Sequence, residues 1–175
     1  YTTKSNQVGF IGGMEGPVIQ RFQSGFEAGV KAGAEALNKE ITVNVQYAAS
    51  YDSPDKGKAI AASMYKEGAD ILYQAAGSTG AGVFQEAKAR NENDYSRKVW
   101  VIGVDRDQAD EGDYKMENGE TGNFTLTSTK KNVGAAVKEF AETSYNDKFP
   151  GGKHLTFGLK EEGVDLTKGQ LSEEA

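Results

Sequence analysis

A doubly wound α/β sandwich, in which helices cover both faces of a mostly parallel sheet to give three layers (α, β, α), is the fold predicted by this 175-residue sequence. Three observations predict it. Apolar runs of strand length alternate with longer stretches of helical period. The run from Val99 to Val104 is uniformly apolar, as in strands buried under helices on either side. Glycine-rich turns stand where a strand ends and a helix begins.

The elements follow in order. Gln7 to Ile11 is a short apolar strand closed by Gly12 and Gly13, and Pro17 opens a helix whose inward stripe reads Val18, Phe22, Phe26, Val30 and Leu37. Ile41 to Tyr47 is a second strand. Ser53 and Pro54 start a second helix, with Ile60, Met64 and Tyr65 inward. Asp70 to Gln74 is a third strand, Gly77 to Gly82 a second glycine turn, and Val83 to Ala89 a helix carrying Phe84 and Ala87 to the core. Val99 to Val104 is the fourth strand and the most uniformly apolar. Asp107 to Glu120 reads as a polar loop, Asn123 to Ser128 as a threonine-rich strand, and Lys130 to about Asn146 as a helix. Leu155 to Leu159 is a weaker strand, and the acidic stretch from Lys160 to Ala175 is expected to fray.

The length fits one domain with a core and not two domains with a cleft between them. With a strand only a few residues after Tyr1, the chain reads as one lobe of a longer protein. We expect residues 1–128 to form a ligand-binding lobe, and residues 129–175 a helix after a hinge and a returning segment. A formal charge of -6 opposes phosphate backbones, so nucleic acid is not an expected partner. The absence of cysteine removes thiolate chemistry, disulfides and thiolate metal sites.

In an open parallel sheet the loops after the strands gather at one edge, and ligands bind there. Those loops are Gly12 to Glu15, with Met14 at the tip; Gln74 to Gly80; and Asp105 to Gln108. The glycines from Gly77 to Gly82 lack both the lysine of a Walker loop and the order of a dinucleotide fingerprint, so a tight turn with Ser78 or Thr79 capping the helix is favoured over a cofactor site. No cofactor is expected. Asp105 directly follows a buried strand, where an ionised carboxylate can accept from two neighbouring sugar hydroxyls; a cap or turn residue is the plainer alternative. Asp105, Asp107, Asp110 and Asp113 resemble a calcium loop, but Ala109 replaces a ligand and the glycine is displaced to Gly112, so they read as a solvated acidic loop and no metal is expected. His154, the lone histidine, lies far from the presumed edge, so hydrolase chemistry has no general base. Tyr73 is placed at the end of the third strand, where its ring either stacks on a flat ligand or packs as an ordinary strand residue.

Val8-Gly-Phe-Ile-Gly-Gly-Met14, followed by Phe22, Gly25, Phe26, Ala28 and Gly29, resembles the basic membrane protein family of ABC-transporter lipoproteins, the purine nucleoside receptor group. The resemblance continues through Tyr73-Gln-Ala-Ala-Gly77 with Thr79-Gly80, through Val101-Ile-Gly-Val-Asp105 with Asp107-Gln108, and through Leu126-Thr-Ser128 with Lys131. It implies one lobe of a periplasmic-binding-protein type I fold, and an extracytoplasmic, lipid-anchored receptor without enzymatic activity that closes two lobes on a nucleoside and delivers it to a membrane permease. Carried over by residue, Asp105 would hold ribose hydroxyls, Lys131 would reach the same sugar, Tyr73 would stack on the base, and backbone at Gly77 or Ser78 would add a hydrogen bond. Ser78 replaces the family's second glycine, and Lys130 beside Lys131 leaves the hinge lysine open. The rival classes are a nucleotide-dependent α/β enzyme using the same strand ends, and the sensor domain of a transcriptional repressor, which shares the fold but needs a DNA-reading module.

Overall fold

The computed structural model describes residues 1–93 and 96–174. Ala175, the last residue of the expected return segment, lies outside the described residues, as do Asp94 and Tyr95 of the expected lobe. The elements are β1 (Gln7–Gly12), α1 (Pro17–Ala36), β2 (Thr42–Tyr47), α2 (Pro54–Lys66), β3 (Ile71–Ala75), α3 (Gly80–Asn93), β4 (Trp100–Asp105), β5 (Asp113–Lys115), β6 (Thr121–Asn123), β7 (Thr125–Lys131), α4 (Val133–Tyr145) and β8 (Val164–Leu166). The main sheet runs β2-β1-β3-β4-β7-β8 and is parallel except for its last pair, as predicted. β5 and β6 form a separate antiparallel hairpin.

Period-two alternation sends one set of side chains to each face of the sheet. Ile11, Leu72 and Val101 meet Met64 and Tyr65 of α2 and Val83, Phe84 and Ala87 of α3. These two helices cross closely because Gly57 and Gly82 carry no Cβ: one at Gly82 would run into the Pro54 carbonyl, and one at Gly57 into that of Thr79. On the opposite face Phe10, Tyr73 and Val104 pack with Ile19, Phe22 and Phe26 of α1. Beyond α1 lies a groove of about 670 Å³, floored by Val8, Ile71, Ile102 and Leu126 and flanked by Gly25, Gly29 and Gly33.

Several sequence expectations change. Val18 is 62% exposed and Ile19 is buried in its place, because Ile19 shares a helix face with Phe22 and Phe26, which pack inward as expected. Asp107 to Glu120 is not one loop: it contains a 3-10 turn at Ala109–Gly112 and the β5–β6 hairpin. Leu155 to Leu159 forms no strand. The acidic stretch after it does not fray. Its β8 pairs with β7, Thr167 N–H donates to the Ser128 carbonyl (3.0 Å), and Gln170 N–H donates to the Leu126 carbonyl (2.8 Å). α4 is capped by Asn132, whose side chain accepts from Ala135 N–H, yet none of its residues is buried. No helix among the described residues is long and apolar enough to cross a membrane.

Candidate ligand-binding site

Because β1, β3 and β4 run parallel, their carboxyl ends deliver the predicted loops to one edge. The first two loops are stitched together. Gly13 N–H donates to the Ala75 carbonyl (3.1 Å), and Ser50 N–H, from the loop after β2, donates to the Gly13 carbonyl (3.3 Å). Met14 at the tip of the first loop is 44% exposed. Gly77 has φ +58, a left-handed conformation that suits glycine, and begins a short 3-10 turn with Ser78 and Thr79; Gly77 and Ser78 face solvent. Thr79 is buried and does not cap its own helix. Its hydroxyl donates to the Ser50 carbonyl (3.1 Å) and accepts from Ser53 N–H (3.0 Å), clamping the β2 loop to the β3 loop.

Asp105 ends β4 with φ +70, uncommon for a residue with a side chain. The carboxylate stands in solvent with one Oδ1 2.7 Å from the Nζ of Lys131, which lies at the end of β7. The same ammonium lies 5.3 Å from the centre of the Phe22 ring. The side chains of Asp105 and Lys131 are 55% and 42% exposed, so the pair contributes at most about 1 kcal/mol to stability and its partners remain open to a ligand. Lys130, its neighbour in the strand, pairs instead with Asp165 of β8 at 3.0 Å, which holds that carboxyl below the ordinary aspartate range. Of the two lysines, Lys131 is the one beside Asp105. A hollow of about 700 Å³ is lined by Asp105, Arg106, Asp107, Lys130, Lys131 and Asp165.

The expectation of a free Tyr73 ring is not met. β3 continues to Ala75, so Tyr73 is its middle residue and points to the α1 face. It is 4% exposed, with its ring 5.5 Å from that of Phe10 and 5.4 Å from that of Phe26, and its hydroxyl 2.9 Å from Thr129 Oγ1. Burial pushes its pKa up to about 12, against the lowering effect of the Thr129 hydrogen bond. The open ring at this edge is Tyr51, which sequence reasoning did not single out. It is 45% exposed and lies over Gly13, where a Cβ would strike it. Its backbone carbonyl accepts from Thr79 N–H (3.1 Å). The available signal was an aromatic residue between Ser50 and Asp52, in a loop at the carboxyl end of a parallel strand.

The acidic loop is occupied by its own hydrogen bonds. Asp107 accepts from Ala109 N–H, Asp110 pairs with Arg106, and Asp113 accepts from the Asn123 amide. Among the described residues no group of three His, Asp or Glu gathers as metal ligands. His154 is exposed in the stretch between α4 and β8.

Over residues 1–175 the sequence matches the family described as ABC transporter substrate-binding protein PnrA-like. It is 50% identical over 94% of its length to the ABC transporter nucleoside-binding protein BmpA of Lactococcus lactis, covering 46% of that protein. It is 36% identical over 95% of its length to basic membrane protein A of Borreliella burgdorferi, covering 44% of it. Among solved structures, an ABC transporter solute-binding protein from Aeropyrum pernix K1 superposes with a TM-score of 0.77 at 26% identity, over 97% of this chain and 46% of that one. A transcriptional activator of the comK gene from Bacillus halodurans, with a TM-score of 0.72 at 23% identity over 99% of this chain and 52% of that one, shares the fold. The chain spans about half the length of the relatives it matches. With this match along its whole length, on a parallel sheet whose strand ends converge, the chain belongs to the Bmp family of PnrA-like ABC transporter substrate-binding proteins.

Proposed function

We propose that the protein binds a purine nucleoside, without transforming it, as the extracytoplasmic solute-binding component of an ABC importer. The observation that carries this reading is the exposed Asp105–Lys131 pair at the converging strand ends. A carboxylate already bonded to an ammonium offers its remaining lone pairs to vicinal hydroxyls, and the ammonium has further protons to donate to the same sugar. The nucleoside-binding relative at 50% identity supports the ligand class. In this reading Gly77 and Ser78 present backbone groups to the ligand, Met14 lies against it, and Tyr51 takes the stacking role that Tyr73, packed against Phe10 and Phe26, does not offer.

Residues 1–128 act as the ligand lobe, and residues 129–175 as the segment that leaves through a hinge and returns along β7. The apolar residues Val133 and Val137 of α4, exposed among the described residues, support that division. In a protein of its relatives' length a second lobe closes over this edge, and a lipid anchor holds the receptor beside a membrane permease.

Calorimetric titration of the protein expressed from its whole gene with adenosine, guanosine, inosine, uridine and ribose tests the reading. Purine nucleosides are expected to bind and to be recovered unchanged by chromatography. D105N is expected to weaken binding about tenfold or more, since a hydrogen bond to a charged group contributes about 1.5–3 kcal/mol. Absence of binding by every nucleoside, or conversion of one, would sink the proposal.

A further inference from the structure

β3 and β4 part company just below the ligand edge. Their ladder covers Ile71 with Trp100, Leu72 with Val101 and Tyr73 with Ile102, and stops, although β3 runs on to Ala75 and β4 to Asp105. The N–H of Val104, one residue before Asp105, therefore meets no β3 carbonyl in that ladder. A buried amide left unpaired is costly, and a side chain takes the strand's place: Gln108 Oε1 accepts from Val104 N–H at 2.7 Å. The same oxygen accepts from Gln74 Nε2 at 2.9 Å. Gln74 is 1% exposed, and its own oxygen accepts from Ala76 N–H (3.3 Å), at the foot of the Gly77–Ser78 turn. Two amides in series thus bridge the split between the strands.

The bridge is oriented as well as filled. Gln108 Nε2 donates to Glu111 Oε1 at 2.9 Å, which fixes which end of the amide faces Val104, and Arg106 holds the same carboxylate. The main chain of Gln108 is pinned to β7, its N–H donating to Ser128 Oγ (3.1 Å) and its carbonyl accepting from Thr125 Oγ1 (3.1 Å). Room for the two side chains comes from glycine: a Cβ at Gly103 would press on Gln108, and one at Gly80 would run into Gln74. The Val104 carbonyl in turn accepts from Arg106 N–H (2.8 Å), so both polar ends of Val104 are fixed and Asp105 is held in its left-handed turn between them.

The geometry points to Gln108 as a positioning residue that sets the distance between the Asp105 carboxylate and the Gly77–Ser78 turn. This inference rests on the reading of that edge as the ligand site. It makes Gln108 matter to affinity although it lies beneath the Asp105 turn.

The test is a polarity swap in the protein expressed from its whole gene. In Q108E a carboxylate faces Glu111 and cannot donate to it, so it turns away and releases Val104 and Gln74. In Q108E with E111Q the introduced amide donates to the introduced carboxylate, which again accepts from Val104 and Gln74. Two readouts are taken: titration with adenosine and guanosine, and hydrogen exchange at the Val104 and Ala76 amides. Q108E is expected to weaken nucleoside binding by about tenfold and to speed both exchange rates, and adding E111Q is expected to recover most of each. Binding by Q108E within twofold of the parent, or a double variant as weak as Q108E, overturns the inference. If the parent itself takes up neither nucleoside, it is the functional proposal that fails, and exchange alone decides on Gln108: acceleration with recovery upholds the bridge, and unchanged rates overturn it.

Discussion

The two faces of the sheet are built from similar residues and finished differently. Beneath α2 and α3, Leu72, Val101, Met64 and Phe124 are fully buried and the helices meet at glycines. Beneath α1, Ile102 and Val30 are only partly buried and a groove of about 670 Å³ stays open beside them. Apolar composition therefore does not by itself measure what a strand contributes; the cover does. Burial stabilises only the area actually removed from water, and a side chain already facing a void has fewer contacts to lose.

Substitutions that differ in face and in little else sharpen or break this contrast. The largest effect is expected at Gly82, where an alanine Cβ would run into the Pro54 carbonyl. Gly82→Ala should lower stability by about 3 kcal/mol in a denaturant titration or prevent folding altogether. Leu72→Ala on the same sealed face should cost about 3 kcal/mol, whereas Ile102→Ala facing the groove should cost about 1 kcal/mol. Equal losses at Leu72 and Ile102 would erase the distinction between the faces.

Tyr73, on the open face, gives a pH test. Its pKa is pushed up to about 12, so the fold favours the neutral phenol. That contribution is complete below the ordinary tyrosine range near 10 and is lost as pH rises from about 10 to about 12, because the unfolded chain releases the proton first. Y73F should cost about 1 kcal/mol at neutral pH through the Thr129 hydrogen bond. Its stability curve should then cross that of the parent as pH climbs toward 12. Parallel curves would mean that the ring is wetter than its contacts indicate.

The smallest effects carry the opposite sign or almost none. Gly29→Ala meets nothing within 4 Å and replaces a poor helix former, so it should stabilise by about 0.5–1 kcal/mol. Lys130→Ala removes an exposed pair with Asp165 and should leave the midpoint of a denaturant titration almost unmoved, with any difference vanishing in high salt.

How much of this was legible follows the same division. The alternation from β1 to β4 could be read because the inner strands β1, β3 and β4 are largely buried and carry apolar runs, while the edge strand β2 shows the period-two pattern of a half-buried strand. β8 could not, since an edge strand held by backbone pairing leaves Val164, Asp165 and Leu166 exposed and shows no apolar pattern. Leu155 to Leu159 carried the pattern without a sheet edge to join. At the candidate site, Asp105 was legible as the residue that ends β4, while Lys131 was singled out by the resemblance alone and stands in β7 where a helix was expected. Tyr73 was misplaced because the strand continues past Gln74, and one further residue decides where the ring stands relative to the rim. The role of Gln108 lay beyond sequence altogether, since it depends on two neighbouring strands diverging.

The backbone at Asp105 also limits what evolution can try there. At φ +70 a β-branched or bulky residue is strained, while aspartate, asparagine and glycine are comfortable. The working alphabet at this position thus shrinks to about three letters on backbone grounds alone. Changing the chemistry of this corner then means choosing among a charge, an amide and nothing, and larger changes must come from neighbouring positions whose main chain is less demanding.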